Sequence, residues 1–170
     1  MKAIQKRLAE EAPYLSALRR ELHRHPELSL QEFRTAERIE EELDRFGIHH
    51  TRVGETGVLG TLRGTGAGTG AVVLRADIDA LPIQETGGAE YASQTPGVMH
   101  ACGHDAHTAC LLGAAKLLAE RRAAFRGEIR FIFQPAEEVG QGAKPFVEAG
   151  ALDGADRVFG LHSAPDLPVG

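Results

Sequence analysis

The sequence predicts an α/β fold, a layered sandwich with helices around a largely parallel mixed sheet, and two observations carry that prediction. Ala71-Val72-Val73-Leu74, Ile129-Arg130-Phe131-Ile132-Phe133 and Val158-Phe159-Gly160-Leu161 are mainly apolar runs bounded by turn residues, as strands buried on both faces are. Between the first two lies a helical stretch from about residue 107 to residue 121, with Leu111, Leu112, Ala115, Leu118 and Ala119 on one side. Strands that alternate with helices build parallel sheets covered on both faces.

The elements follow in order. Ile4, Leu8, Leu15, Leu18 and Leu22 mark an amphipathic helix over residues 4–24, and Pro13 predicts a break near its middle. Pro26 pushes His25 out of helical geometry. Ser29 with Glu32 then has the spacing of a capping box, and Leu28 with Phe33 that of a hydrophobic staple. A second helix is expected with Phe33, Ala36, Ile39, Leu43 and Phe46 on its buried face, and with Glu40, Glu41, Glu42, Asp44 and Arg45 towards water. Gly47 closes it. Thr51–Val53 and Gly57–Leu62 read as short strands, and Gly64-Thr65-Gly66-Ala67-Gly68-Thr69-Gly70 as a hairpin turn. That glycine run is not a phosphate loop: no Lys-Ser or Lys-Thr follows it, and a strand rather than a helix comes next.

Composition narrows the function. The 170 residues, 42% hydrophobic and 25% charged, fit one folded domain with no internal repeat or linker. A chain of this length builds a core without a metal staple, so a bound metal would serve chemistry. Nineteen Lys and Arg against 24 Asp and Glu give a net charge of −5, which disfavours nucleic acid as a partner. The N-terminal segment lacks the pattern of a signal peptide, and no apolar run is long enough for a membrane span. The two cysteines, Cys102 and Cys110, are too few for a disulfide scaffold. A cytoplasmic location is the expectation, with Cys110 in the helix core.

Four segments at strand ends or helix starts concentrate metal-competent side chains. These are Arg75 to Pro82, Gly97 to His107, Gln134 to Gly140, and Gly160-Leu161-His162. A thiolate from Cys102, imidazoles from His104 and His162, and a carboxylate from Glu138 suit zinc or manganese. A pair of ions could polarise a carbonyl and acidify a shared water. Glu137, beside Glu138, is the candidate general acid and base. Neighbours on an extended strand point apart, so both carboxylates can serve one site only from an irregular loop, which Pro135 and Gly140 favour. Taken singly, each residue has an ordinary reading: Cys102 as a small core residue, His104 and His107 as helix-start residues, Glu137 and Glu138 as a solvated pair, His162 as a strand-end histidine, and Asp77 and Asp79 as turn residues. Only their convergence would favour a site. His23, His25, His49 and His50 receive no role.

The segments Leu22-His23-Arg24-His25-Pro26-Glu27-Leu28-Ser29, Arg75-Ala76-Asp77-Ile78-Asp79-Ala80-Leu81-Pro82, Met99-His100-Ala101-Cys102-Gly103-His104-Asp105-Ala106-His107-Thr108, Phe133-Gln134-Pro135-Ala136-Glu137-Glu138 and Gly160-Leu161-His162 together resemble the hippurate hydrolase branch of the aminoacylase and carboxypeptidase G metallopeptidase family. The resemblance implies a zinc-peptidase-type catalytic domain with two divalent metal ions, Mn2+ or Zn2+. It places Cys102 at the bridging position, His104, Glu138 and His162 as further ligands, and Glu137 as general acid/base. Asp77 is implied as a carboxylate orienting a metal-bound histidine, with Arg75 standing where relatives carry that histidine. His100 and His107 fall in a matched block without a place among the ligands.

The implied reaction is hydrolysis of the amide bond of an N-acyl amino acid. The resemblance also implies that residues 1–170 are the N-terminal portion of the catalytic domain. The lid and dimerisation domain, through which relatives would form homodimers, and the second half of the catalytic domain with its late histidine are absent from these residues. Pro165 to Gly170 look like the approach to that insertion. Two other readings remain at this stage. One is a catalytically incomplete fragment acting as a binding or assembly partner. The other is a small one-metal hydrolase using Cys102, His104 and His162.

Overall fold

The computed structural model of the chain describes residues 2–164 and 166–168, with backbone alone for Lys2 and Ala3. Pro165, Val169 and Gly170, part of the expected approach to an insertion, lie outside the described residues.

Helices α1 (Lys2–Arg24) and α2 (Phe33–Arg45) precede strands β1 (His49–Val53), β2 (Gly57–Arg63) and β3 (Gly66–Asp77). Helix α3 (His104–Ala119), β4 (Arg126–Gln134), α4 (Ala143–Glu148) and β5 (Ala155–Gly160) follow. The five strands form one sheet in the order β1-β2-β4-β3-β5. The β1–β2 and β2–β4 junctions are antiparallel, while β3 pairs in parallel with both β4 and β5.

Alternation along the strands divides the core between the two faces of the sheet. Phe131 and Phe133 of β4 and Ala76 of β3 pack with Leu18, Leu22, Ile39, Leu43, Leu111 and Leu112 of the first three helices. Ile132 and Val73, pointing the other way, meet Val53, Phe146 and Ala151 on the α4 side. The structure is therefore the expected α/β sandwich, with its parallel strands carrying the loops of interest.

Several local expectations are corrected. Helix α1 runs unbroken through Pro13. Arg7 pairs with Glu120 at 2.7 Å, and Glu11 pairs with Lys116, which fastens the first turns to the end of α3. Leu18 and Leu22 bury the later turns, so packing on both sides of Pro13 offsets its missing N–H. The N-terminal residues Ile4 and Leu8 remain exposed.

The capping box does not form. Glu27 Oε1 and Oε2 accept the amide N–H groups of Arg34 and Thr35 at 3.1 and 2.8 Å, while Ser29 and Glu32 turn to other partners. Phe33 is 47% exposed instead of buried. Glu42, expected in water, is buried and held by Tyr14, Arg38 and Arg45.

The glycine run is no hairpin, because β4 lies between β2 and β3 in the sheet, and Gly66–Gly70 already belong to β3. Strand β5 forms an edge, leaving Val158 and Phe159 54% and 53% exposed where burial was expected. Cys110 is likewise exposed. No helix among the described residues is long and apolar enough to cross a membrane.

Candidate metal centre

Parallel pairing brings three strand ends to one edge. Asp77 at the end of β3 is in register with Gln134 at the end of β4, and Arg75 with Gly160 at the end of β5. The loops that leave these strands and the first turn of α3 therefore share one rim, where ligands gather in open α/β sheets.

The 135–142 loop is irregular in the required way. Ala136 has φ +49, and its carbonyl accepts the N–H groups of Gln141 at 3.1 Å and Gly142 at 3.3 Å. Gly142 is needed for that closure, since a Cβ there would lie 1.5 Å from the Pro135 carbonyl oxygen. The result brings both carboxylates to one imidazole: His104 Nε2 is 3.8 Å from Glu137 Oε2 and 3.7 Å from Glu138 Oε1. Glu138 is the more buried of the two, and Glu137 faces solvent more fully.

Helix α3 starts with Gly103 at φ +84, which delivers His104 to the rim in its first turn. His104 is fully buried, with Nδ1 donating to Asp79 Oδ1 at 3.2 Å. Its Nε2 has no hydrogen-bond partner, and neither does the buried Glu138 Oε1. Such buried lone pairs are costly unless a cation or proton joins them. Cys102, His104 and Glu138 each present a donor atom within 4.8 Å of the others. Asp77, His104, His107 and His162 form a second such group. Nitrogen, sulfur and carboxylate donors in this proportion fit zinc or manganese.

His162 approaches Cys102 from beyond β5. Its Nδ1 donates to the Ser163 carbonyl at 2.8 Å, which leaves Nε2 facing Cys102 Sγ at 3.3 Å. His107 behaves differently. It donates from Nδ1 to Asp77 Oδ1 at 2.6 Å and accepts the Ser163 N–H at Nε2 at 2.8 Å, so both ring nitrogens are engaged. The histidine that Asp77 orients is thus His107, and Arg75 binds the other Asp77 oxygen at 2.7 Å.

The carboxylate that orients His104 is Asp79, which the sequence reading left without a role. Asp79 Oδ2 also accepts the Glu138 N–H at 3.0 Å and the Ser29 hydroxyl at 2.7 Å. A second carboxylate two residues after Asp77 was the available signal.

The rim is strongly acidic. Burial pushes the Asp77 carboxyl up, but the His107 hydrogen bond and the charges of His104 and Arg75 prevail and hold it at about 2. Burial and the neighbouring Glu138 push the Cys102 thiol up to about 11. Burial lowers the His104 value, yet Asp79, Asp77 and Glu138 together raise it. A thiol in such a field becomes a thiolate when a cation binds beside it.

Fold, donor set and acidic field together define an α/β unit with a candidate divalent-metal centre at its sheet edge. The chain belongs to Peptidase family M20/M25/M40, whose sequence pattern matches residues 73–170, more than half of it. It is 50% identical over 155 residues to N-acetylcysteine deacetylase of Bacillus subtilis, covering 90% of this chain and 40% of the relative. It is 52% identical over 160 residues to N-acyl-L-amino acid amidohydrolase of Geobacillus stearothermophilus, covering 92% and 43%. The YXEP protein of Bacillus subtilis, described as a dinuclear metal binding peptidase of the M20 family, superposes with a TM-score of 0.88 at 49% identity, over 92% of this chain and 44% of that one. The chain spans about 40% of the length of the curated relatives it matches.

Proposed function

We propose that these residues form the first part of a metal-dependent amidohydrolase that cleaves the amide bond of N-acyl amino acids. The observation that carries the reading is the pair of buried, unpartnered atoms His104 Nε2 and Glu138 Oε1, 3.7 Å apart beside Cys102.

Cys102, His104, Glu138 and His162 would hold two divalent ions, Mn2+ or Zn2+. Cys102 is in reach of both His162 and Glu138 and is the donor best placed to be shared. Bound divalent ions acidify a water and polarise a substrate carbonyl. Glu137, exposed at the rim and close to His104, takes the proton of the attacking water and returns it to the leaving nitrogen. Asp79 fixes the tautomer of His104, as carboxylate partners of metal-binding histidines do.

The named activities of the relatives favour hydrolysis over a purely binding role. The dinuclear description of the YXEP protein favours two ions over one. Residues 1–170 are read as the N-terminal portion of the catalytic domain, a reading supported by the greater length of those relatives. Two free cysteines agree with a reducing, cytoplasmic setting.

The test is release of free amino acid from hippurate and N-acetyl amino acids, by this chain and by the whole protein containing it, each loaded with Mn2+ or Zn2+. Metal-dependent release by either supports the reading. No release by the whole protein, loaded with either ion, overturns it.

A further inference from the structure

Glu32 is fully buried at the N-cap position of α2, but its side chain makes no cap hydrogen bond and is no donor in either metal-competent group. Its Oε1 accepts the N–H of Ala136 at 2.8 Å, across 104 residues of sequence, and its Oε2 accepts the Thr56 hydroxyl at 2.8 Å. Ala136 is fully buried and has φ +49, a left-handed conformation that a residue with a Cβ adopts reluctantly. Its carbonyl is fastened by Gln141 and Gly142 on the far side. The residues immediately after it are Glu137 and Glu138.

We infer that Glu32 is a positioning residue, which locks the left-handed Ala136 turn and thereby aims Glu137 and Glu138 at His104. A buried N–H in a tight turn needs an acceptor, and the Glu32 carboxyl supplies it. Without that acceptor, Ala136 gains by returning to ordinary backbone geometry, and the direction of both following side chains changes with it. The same α1–α2 connector reaches the turn a second time, because Ser29 holds the Asp79 oxygen that accepts the Glu138 N–H. Spacing that resembles a helix cap thus serves the acidic loop instead. The proposal rests on the reading of Glu138 as a metal donor, and its test separates the two.

Glu32→Leu removes the acceptor. Glu32→Gln can keep it, with the side-chain oxygen towards Ala136 and the amide towards the Thr56 hydroxyl. The variants are compared by amide hydrogen exchange and by Co2+ titration. In Glu32→Leu, exchange at residues 136–142 accelerates about tenfold or more while β4 and α3 keep wild-type rates, as expected for local opening. Co2+ affinity in that variant falls about 10- to 100-fold, the usual effect of losing an outer support. Glu32→Gln restores both readouts to near wild type.

If Glu32→Leu does not fold, Thr56→Val decides: it frees the other carboxyl oxygen and shifts exchange in the same segment, in the same direction and by less. Wild-type exchange in the turn, or an acceleration spread evenly over β4 and α3, overturns the proposal. If the wild-type chain binds no Co2+, the metal reading fails, and the exchange pattern still decides the role of Glu32.

Discussion

The Nε2 atom of His104 and the Oε1 atom of Glu138 lie 3.7 Å apart, both buried and both without a hydrogen-bond partner. Two lone pairs held this way repel each other unless something positive lies between or beside them. Their supports are well made: Asp79 fixes the other nitrogen of His104 and the backbone of Glu138 at once. The candidate donors are thus held by side chains outside their own set, and that organisation can be tested piece by piece.

Asp79→Asn is expected to weaken metal binding about 10- to 100-fold, since outer carboxylates orient the ligands they touch. An amide has one oxygen in place of two, so His104 and the Ser29 and Glu138 donors can no longer all be accepted. Isothermal titration with Zn2+ measures the loss, and unchanged affinity would remove Asp79 from the account.

Glu137→Gln separates proton transfer from metal binding. The variant is expected to keep the wild-type metal content by elemental analysis. In the whole protein its turnover falls by at least about 100-fold, the lower end of what a positioned acid–base group contributes. Comparable turnover would assign the proton to another group.

His23 predicts a pH-dependent term in stability. The hydrogen bond to Asp105 raises its pKa against the effect of burial, with Glu85 adding to the rise and Arg19 opposing it, while His100 and Tyr91 pack against the ring. A value raised in the folded state stabilises below the ordinary value of 6.5, and the contribution disappears as pH rises through the folded value. Urea unfolding should show His23→Gln about 1–3 kcal/mol less stable than wild type near pH 6, with a smaller gap near pH 9. A gap that is equal or larger at the alkaline end would contradict the ion pair.

Pro13→Ala should stabilise the chain. It restores an N–H in the interior of an unbroken, exposed helical turn, where proline costs up to about 3 kcal/mol relative to alanine. Thermal unfolding reads the gain, and a loss would show that α1 depends on the proline through the unfolded chain.

The apolar runs were legible as strands, and the crowd of Cys, His and Glu at their ends was legible as a site, because both signals are local. Strand order was not legible. The glycine run has the composition of a hairpin turn, yet β4 lies between β2 and β3, a pairing set by residues some 60 positions apart. Exposure at β5 followed from its place at an edge, which a run such as Val158 to Leu161 does not encode. In the candidate site, Cys102, His104 and Glu138 lie together and His162 faces Cys102, all at the strand ends and helix start where the sequence crowds them. Their supports did not show themselves: Ser29 and Glu32 had the pattern of a cap, and only the fold reveals that they reach Asp79 and Ala136. A positive φ at Ala136 has no signature in a residue type that usually avoids it.

The central claim, that Cys102, His104, Glu138 and His162 gather a divalent cation, is tested most directly by titrating the chain with Co2+ and following the near-ultraviolet thiolate-to-metal absorption. The account predicts a saturating band that Cys102→Ser abolishes and that Glu138→Gln and His162→Ala weaken. Absence of the band, or its persistence in Cys102→Ser, would contradict the account.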